Sequence, residues 1–392
     1  MRYAATEPAA HRLRVDLADN SQRLGHDPPL VEHGLKPDIH AFNRTQLRCA
    51  EQAHHPGASK RSRTSRTASH TRLRGPTVNS HDDLPRLKPQ GANVIRETTG
   101  IHKIKMLYLQ LLYRCNFACK HCFHGERLQH ADAFTAEQAC NLMRLMQHQY
   151  GTEVVTLLGG EPFAHKDLPQ VVRYAKHTLG LDVEICSNGY RVGRTLRAIA
   201  PCVDLLRISL EGVGTTNDHI RRAGSYVAAL ESLELAKDLG VPTGATLTVN
   251  RYNIGEVVEL AGILESLGVT QLKLHQLRPV GNAVLHPDML VTDPADYARL
   301  RLQVRDAQLG IEVVLDEDLS EDGAPVCAVP QVRGDIDRIE SDPRGALTMS
   351  CKAVGKDSHA FWYDKDADQI EYRPSANDEL TLAIPDVVYG HA

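Results

Sequence analysis

The segment MLYLQLLYRCNFACKHC, residues 106–122, joins a continuous apolar run to three closely spaced cysteines. An unbroken apolar run of this length predicts a strand that is buried on both faces, as in a parallel sheet. Cys115, Cys119 and Cys122 follow it within one short loop. Thiolates at such spacing are typical ligands of zinc or of an iron–sulfur cluster. Three of them leave one coordination position open, which indicates a catalytic rather than a structural metal centre.

Beyond this segment, strand patterns alternate with amphipathic helix patterns. Six strands are predicted, over 106–113, 153–158, 182–187, 204–210, 242–250 and 270–277. Helices are predicted between them, over 135–150, 167–179, 191–200, 225–239 and 254–267, with Thr135 as the N-cap of the first. Such alternation predicts an α/β fold with a parallel sheet and right-handed crossovers. Six units suit a partial, TIM-like (β/α)6 barrel better than a closed eight-stranded one.

Composition divides the chain into three regions. Residues 1–103 are rich in basic residues and histidine, and we expect this head to be disordered because it lacks apolar periodicity. Residues 104–283 are the predicted core domain, and 284–392 a small C-terminal α+β extension. Met106 immediately precedes the first strand, so the head also has an alternative interpretation as an artefact of the assigned translation start.

Charge and cysteine content limit the class of protein. The first 100 residues hold 16 Lys and Arg against 10 Asp and Glu, and the remaining residues hold 29 against 39. This acidic body argues against nucleic acid as the main partner. No apolar stretch approaches the ~20 residues that span a bilayer, and no signal-peptide pattern opens the chain. Nine cysteines, unevenly clustered, do not suggest an extracellular disulfide framework, so the expected location is a reducing cytoplasm.

The remaining candidate residues fall in loops that follow predicted strands. In parallel β/α folds, such loops at the carboxyl ends of the strands carry the chemistry. The candidates are Gly159, Gly160, Glu161 and Pro162 after strand two, Ser187 and Asn188 after strand three, Ser209 and Glu211 at the end of strand four, and Leu277 after strand six. Because these loops share one rim with the cysteines, we expect them to surround one cofactor.

Two of these groups have specific chemical interpretations. Gly159 and Gly160 lack side chains and allow close approach to their backbone, and Glu161 adds a carboxylate suited to a cationic amine. An ordinary tight turn with a surface acid is the alternative. Ser209 and Glu211 lie two apart on a strand and face the same side, where they could bind ribose hydroxyls or form a solvated strand end.

The motif CNFACKHC (115–122), followed by LLGGEP (157–162), resembles the radical S-adenosylmethionine (radical SAM) superfamily. The resemblance covers about 105–283. It continues through LRISLEG (206–212), HIRRAGSY (219–226), TLTVNRYNIGEV (246–257) and LRPVGNA (277–283). These segments look like the branch of cofactor and peptide maturases that carry a C-terminal SPASM or twitch extension.

The resemblance implies a [4Fe–4S] cluster on the three cysteines, whose fourth iron is chelated by S-adenosylmethionine. Reductive cleavage of S-adenosylmethionine would then lead to abstraction of a hydrogen atom from the substrate. Glu161 and the backbone of the two glycines would hold the methionyl amino group, Ser209 and Glu211 would face the ribose, and Leu277 would lie near the adenine. His121 stands where the family usually has an aromatic residue beside the cluster.

The implied partners are a peptide or small-molecule substrate and an electron donor such as flavodoxin or ferredoxin. Peptide maturation and specialised-metabolite biosynthesis both remain open. A rival hypothesis is a non-catalytic zinc- or cluster-binding protein that uses the same cysteines with His121 or His124. An electron carrier would need a fourth nearby cysteine. Cys140, Cys186 and Cys202 lie in helix or strand contexts, where we expect buried, structural thiols.

The C-terminal region departs from the family pattern. DPRGALTMSC (342–351) resembles the start of a SPASM domain, but only Cys327 and Cys351 follow residue 283. Two thiolates cannot complete a [4Fe–4S] site by themselves. We therefore expect a cluster-free lid, and the alternative is an auxiliary site completed by His359 or Asp364.

Overall fold

The computed structural model describes residues 93–316, 319, 334–349 and 361–373. The predicted head up to residue 92 lies outside the described residues, as do Cys327, Cys351 and His359. No helix among the described residues is both long enough and apolar enough to cross a bilayer.

All six predicted strands are present. They are β1 Ile101–Gln110, β2 Val154–Leu158, β3 Asp182–Ser187, β4 Leu205–Ser209, β5 Thr243–Val249 and β6 Gln271–Gln276. The helices are α1 Val94–Thr99, α2 Ala136–Tyr150, α3 Leu168–Arg173, α4 Gly193–Ile199, α5 Thr215–Ile220, α6 Ser225–Asp238, α7 Val257–Ser266 and α8 Pro294–Asp306. Thr135 is the N-cap of α2, where its side chain and that of Gln138 form a reciprocal capping box.

The sheet is longer than the six strands predicted. Five further strands are β7 Glu312–Leu315, β8 Gly334–Ser341, β9 Ala346–Thr348, β10 Phe361–Asp364 and β11 Gln369–Tyr372. The strand order is β11-β10-β9-β8-β1-β2-β3-β4-β5-β6-β7. Because β8 pairs parallel with β1 and β7 pairs parallel with β6, eight neighbouring strands run in one direction. The α/β class is confirmed, and the predicted six-stranded parallel unit gains one strand on each side.

The two faces of the parallel strands differ in polarity. Leu109, Leu157 and Ile185 are fully buried and belong to the main apolar cluster, which includes residues of the covering helices. The adjacent residues point to the opposite face, where Thr156 donates a hydrogen bond to Glu184 at 3.2 Å. One face of the sheet therefore forms the core, and the other is a polar surface beneath the carboxyl-end loops.

The chain before residue 104 already contributes to this fold. β1 begins at Ile101, and α1 precedes it, so the expected boundary of the head at 103 and 104 falls inside a strand. The backbone N–H of Ile95 donates to the Tyr150 hydroxyl at 3.3 Å, which attaches α1 to the end of α2. This segment is short and half polar, which is why periodicity alone did not reveal it.

The C-terminal strands are attached beside the first strand. The Tyr113 hydroxyl donates to Asp342 Oδ2 at 3.0 Å, and Arg144 of α2 forms an ion pair with Asp368 at 2.8 Å. Asp364 accepts hydrogen bonds from the backbone of the β10–β11 turn, at 2.9 Å from Asp366 N. In this structure Asp364 is thus a turn-capping residue.

Candidate active site

A cavity of about 330 Å³ lies at the carboxyl ends of the parallel strands. Its volume is in the range of roughly 300–1,000 Å³ that is usual for small-molecule sites. Eleven of the twelve candidate residues line it: Cys115, Cys119, Cys122, Gly159, Gly160, Glu161, Ser187, Asn188, Ser209, Glu211 and Leu277. The remaining one, Pro162, begins a short 3-10 helix directly behind Glu161. The structure therefore brings together the residues that the sequence predicted for one rim.

The three cysteine thiols are free and open into this cavity. Burial raises the pKa of Cys115 to about 12 and that of Cys119 to about 11. Backbone N–H groups oppose this effect, because Phe117 N donates to Cys115 Sγ at 3.4 Å and two N–H groups donate to the Cys122 thiol. N–H groups directed at sulfur stabilise the thiolate form that binds metal.

The loop after β6 holds the cysteine loop in place. The backbone N–H of Asn282 donates to the Cys122 carbonyl at 2.8 Å, and its side-chain amide donates to the Cys119 carbonyl at 2.9 Å. Gly281 lies so close that a Cβ atom there would collide with the Cys122 carbonyl oxygen. Sequence reasoning did not assign Asn282 a role. Its only signal was its place within LRPVGNA.

Arg221, which sequence reasoning also did not assign, lies beside the thiols. Its side chain is 8% exposed, and it donates to Glu211 Oε1 at 3.0 Å. Burial works against its charge, but the neighbouring Cys119 thiol and the Glu211 carboxylate outweigh this and raise the pKa of Arg221. Its Nε atom is buried and has no hydrogen-bond partner among the described residues. A guanidinium on the wall of a cavity can bind an anionic group there.

Both carboxylate oxygens of Glu211 have hydrogen-bond partners within the protein. Its Oε1 atom lies 3.0 Å from His121 Nε2 and also accepts from Arg221, and its Oε2 atom accepts from Thr248 N at 2.8 Å. Burial opposes ionisation, but these three partners outweigh it and lower the pKa of Glu211. The ribose role expected for Glu211 stays a prediction. In this structure the residue fixes two basic side chains at the cavity wall.

Glu161 joins the loops after β2 and β3. Its carboxylate accepts hydrogen bonds from the Ser187 hydroxyl at 2.9 Å, from Asn188 N at 2.9 Å and from Phe163 N at 3.1 Å. Burial still raises the pKa of Glu161 above its usual range. Asn188 extends this connection to the cysteine loop, since its side-chain amide donates to Asn116 Oδ1 at 2.7 Å.

The two glycines before Glu161 are required by the close packing of the backbone, whether or not a ligand binds beside them. Gly159 has φ +141°, and Cβ atoms at Gly159 and Gly160 would collide with the carbonyl oxygens of Leu112 and Tyr113. The N–H of Gly160 also donates to the Leu112 carbonyl at 2.7 Å. Only glycines allow the β2 loop to lie this close to the chain that leads into the cysteine loop.

The last candidate residues occupy different parts of the wall. Ser209 is half-buried at the end of β4, whereas Leu277 is buried and packs in a small apolar cluster with Ile220, Ala283 and Met289. Cys186 also lines the cavity, because it points away from the helices, opposite to Ile185. The expectation of a buried thiol is therefore wrong for Cys186, which is half-buried at the cavity wall. Cys140 and Cys202 are buried in the main cluster.

The histidines of the rival zinc hypothesis both have protein partners. His124 Nε2 donates to the Gly159 carbonyl at 3.1 Å, and His121 pairs with Glu211. Within the described part of the chain, no group of three or more His, Cys, Asp and Glu side chains is arranged around a single-ion position.

Comparison with known proteins gives a family for this region. A profile of the Radical SAM superfamily matches residues 109–264. Fe-coproporphyrin III synthase of Methanosarcina barkeri is 28% identical over 168 residues, 42% of either chain. Mycofactocin maturase MftC of Mycobacterium ulcerans is 30% identical over 189 residues, 45% of this chain and 50% of that protein. The chain thus spans about half the length, or less, of these two curated relatives.

Solved structures support the same fold. The S-adenosylmethionine-bound crystal structure of Streptococcus suis SuiB has a TM-score of 0.56 at 14% identity, covering 68% of this chain and 65% of that one. The anSMEcpe structure with bound S-adenosylmethionine has a TM-score of 0.51 at 13% identity, covering 67% and 75%. At such identities the likeness concerns the fold alone. The profile match over residues 109–264 confirms the resemblance from which a [4Fe–4S] cluster and S-adenosylmethionine were expected. Residues 109–264 of this chain are therefore a radical SAM domain.

Proposed function

We propose that this chain is a radical SAM enzyme that acts in the maturation of a peptide or a cofactor. The observation that carries the proposal is the convergence of three free thiols, the Gly159–Glu161 loop and Arg221 on one cavity. A buried guanidinium beside three cysteines suits a site in which negative thiolates and an anionic ligand are held together.

The residues present fit an iron–sulfur cluster. Cys115, Cys119 and Cys122 would hold it, and backbone N–H groups already point at two of the sulfurs. Such hydrogen bonds lower the negative charge density on the ligands and help to set the reduction potential of a cluster. Asn282 fixes the peptide groups of Cys119 and Cys122, so the loop is held in shape before a cluster enters.

The residues present also fit S-adenosylmethionine. The Arg221 guanidinium, which lines the cavity, would bind its carboxylate, and the Glu161 carboxylate would balance the charge of its amino group. Ser209 adds a hydroxyl group to the wall of the same cavity. Pro162, Ser187 and Asn188 act through Glu161: Pro162 fixes the turn behind it, and Ser187 and Asn188 donate hydrogen bonds to its carboxylate.

When bound, the cluster supplies the electron for reductive cleavage of S-adenosylmethionine, which permits hydrogen-atom abstraction from an organic substrate. The chain itself positions the reactants and excludes water. Phe117, Phe123, Leu158 and Val280 line the cavity together with the polar residues, so that much of its wall is apolar. An apolar wall protects reactive species from side reactions with solvent.

For the substrate, we propose a peptide. One relative is named a mycofactocin maturase, and one solved structure is SuiB bound to the precursor peptide SuiA, with a TM-score of 0.53. A small cofactor precursor is the second candidate, since other relatives are named Fe-coproporphyrin III synthase and probable GTP 3',8-cyclase. We also propose a reducing compartment, the cytoplasm, because the site requires free thiols.

The proposal is tested by the formation of 5′-deoxyadenosine. Protein reconstituted anaerobically with iron and sulfide is given S-adenosylmethionine and dithionite, beside a Cys119→Ala variant and a Cys140→Ala control. We expect product from the wild type and from the control, and none from Cys119→Ala. Iron and sulfide should approach four of each per chain in the wild type, as the cluster formula requires.

Metal analysis separates this proposal from the rival one. A protein that is purified with zinc, resists reconstitution and does not bind S-adenosylmethionine would support a non-catalytic metal site. A full cluster without any 5′-deoxyadenosine would contradict the enzymatic proposal directly.

A further inference from the structure

Three exposed arginines surround the outer side of the cysteine loop, and we call them the arginine patch: Arg114, Arg191 and Arg222. Arg114 immediately precedes Cys115 and donates to the Ala164 carbonyl at 2.7 Å. Arg222 donates to the carbonyl of Asn116, the next residue of the loop, at 3.2 Å. The patch is thus attached to the backbone of the loop that carries the thiols.

Aromatic rings hold the patch in a fixed arrangement. The rings of Phe117 and Tyr190 lie 5.6 Å apart, and the Arg222 guanidinium lies 5.6 Å from the first and 4.8 Å from the second. Arg191 lies 5.1 Å from the Tyr190 ring. Stacked guanidinium groups lose less conformational entropy when they bind a partner, because they are already ordered.

The positive charge of the patch is not neutralised by the described part of the chain. None of the three arginines forms an ion pair with a carboxylate among the described residues. Lys120 adds a further positive charge on the same loop, where its ammonium group lies 2.8 Å from His219, although Asp288 is also near it. The chain body as a whole is acidic, so an exposed basic surface at this position is a local exception.

The patch and the cavity use different sides of one loop. Cys115 and Phe117 line the cavity, whereas Arg114, Arg191 and Arg222 do not. A partner bound to the patch would therefore approach the thiols from outside and leave the cavity open to substrate. Because electron tunnelling weakens exponentially with distance, a surface next to the cluster ligands is where an electron donor has to bind.

We propose that the arginine patch is the docking surface for an acidic, one-electron donor protein of the flavodoxin type. The proposal rests on the proposed function, which requires one external electron per cleavage. In the transfer, the anionic flavin hydroquinone of the donor loses one electron and becomes the neutral semiquinone, and the cluster gains that electron. No bond is broken, and no proton has to move.

The test compares two triple variants of the cluster-loaded full chain. Arg114→Glu/Arg191→Glu/Arg222→Glu reverses the patch. The matched control, Arg173→Glu/Arg197→Glu/Lys237→Glu, makes the same change in net charge at the carboxyl ends of α3, α4 and α6, at the opposite edge of the sheet. Binding of an acidic flavodoxin is measured by fluorescence anisotropy across a salt series. Formation of 5′-deoxyadenosine is measured separately with reduced flavodoxin and with dithionite.

We expect the patch variant to bind flavodoxin at least about tenfold more weakly at low salt, and to lose most of the salt dependence that the wild type shows. The ratio of its rate with flavodoxin to its rate with dithionite should fall by a similar factor, and this ratio corrects for any change that the lost hydrogen bonds cause in the loop itself. The control should behave as the wild type in both assays. Arg191 contacts only the Tyr190 ring. The single variant Arg191→Glu should therefore weaken flavodoxin binding by a smaller factor, without disturbing the loop.

Different results would contradict the proposed function and the proposed docking surface. No 5′-deoxyadenosine with dithionite from the fully loaded wild type would overturn the proposed function. Wild-type flavodoxin affinity in both the triple patch variant and Arg191→Glu would overturn the docking surface and leave the enzyme intact. Tighter binding of a single-stranded RNA than of flavodoxin, lost in the patch variant, would assign the patch to nucleic acid instead.

Discussion

Glu161 and Glu211 are both buried glutamates on one cavity wall, and their environments shift their pKa values in opposite directions. Glu161 accepts three uncharged hydrogen bonds, which do not offset its burial, and its pKa is raised. Glu211 has Arg221 and His121 beside it, and its pKa is lowered. Charged partners stabilise a buried carboxylate more than neutral donors do, which accounts for the difference.

These directions predict opposite pH dependences of stability. Glu211 stabilises the fold above the ordinary pKa of 4.5, and this contribution is lost as the pH falls through its lowered pKa. Glu161 imposes a cost that appears as the pH rises above 4.5 toward its raised pKa. In urea unfolding of the metal-free protein, Glu211→Gln should therefore be less stable than the wild type at neutral pH. The difference in the free energy of unfolding should disappear in acid. For Glu161→Gln, the free energy of unfolding should increase relative to that of the wild type as the pH rises.

Arg221 is expected to control affinity for S-adenosylmethionine. Arg221→Lys keeps a positive charge but removes the planar guanidinium fork, so one charged hydrogen bond to the ligand is lost. A bond of that kind contributes about 1.5–3 kcal/mol, which corresponds to an increase in Kd of roughly 10–100-fold. Equilibrium dialysis on the reconstituted protein measures it. Arg173→Lys, at the other edge of the sheet, serves as the control, and an unchanged Kd would remove Arg221 from the ligand site.

At the level of elements, the loop after β6 stabilises the cysteine loop through Asn282. Asn282→Ala removes the side-chain bond to the Cys119 carbonyl and keeps the backbone bond to Cys122. We expect faster loss of the cluster to a chelator, by severalfold, with little change in global stability. The decay of visible absorbance with time in excess EDTA measures this rate. Gln129→Ala, an exposed polar truncation, should leave the decay at the wild-type rate.

The contact between the β2 loop and the chain after β1 predicts a second contrast. Gly160→Ala places a methyl group against the Tyr113 carbonyl and should cost about 1–3 kcal/mol of stability through overpacking. Gly262→Ala is the matched change in the interior of α7, where a Cβ meets nothing, and it should stabilise by about 0.5–1 kcal/mol. Urea unfolding of both variants gives the comparison. Equal midpoints would show that the close approach at Gly160 does not constrain the fold.

The sequence was most informative where local patterns decide the structure. The six strands and the rim loops were predicted because long apolar runs and turn residues are local features. The network of Glu211 could not be predicted in the same way, since His121 of the cysteine loop, Arg221 after α5 and Thr248 of β5 are far apart in the sequence. β8 could not be predicted from the sequence either, because its short segment alternates with polar residues and pairs with a strand more than 220 residues earlier.

At the level of the whole molecule, Asp368 connects the C-terminal strands to the core. It pairs with Arg144 and accepts from the Tyr363 hydroxyl, both at 2.8 Å. Asp368→Ala removes both contacts and should destabilise the extension by about 3 kcal/mol or more, since it leaves a partly buried cation without its partner. Hydrogen exchange in β10 and β11 should then accelerate while β5 stays protected. The exposed neighbour variant Asp366→Ala should not produce this pattern.

The position of β8 beside β1 has a consequence for biosynthesis. On the ribosome, β1 emerges with one edge open, and its partner on that side is translated more than 220 residues later. An unpaired edge on an apolar strand is prone to wrong pairing with other chains. The anchor of Tyr113 to Asp342 is likewise absent until then, so the residues that lead into the cysteine loop gain their support late. Cluster insertion thus belongs after translation, and chaperones that shield nascent strands should increase the yield of loaded protein.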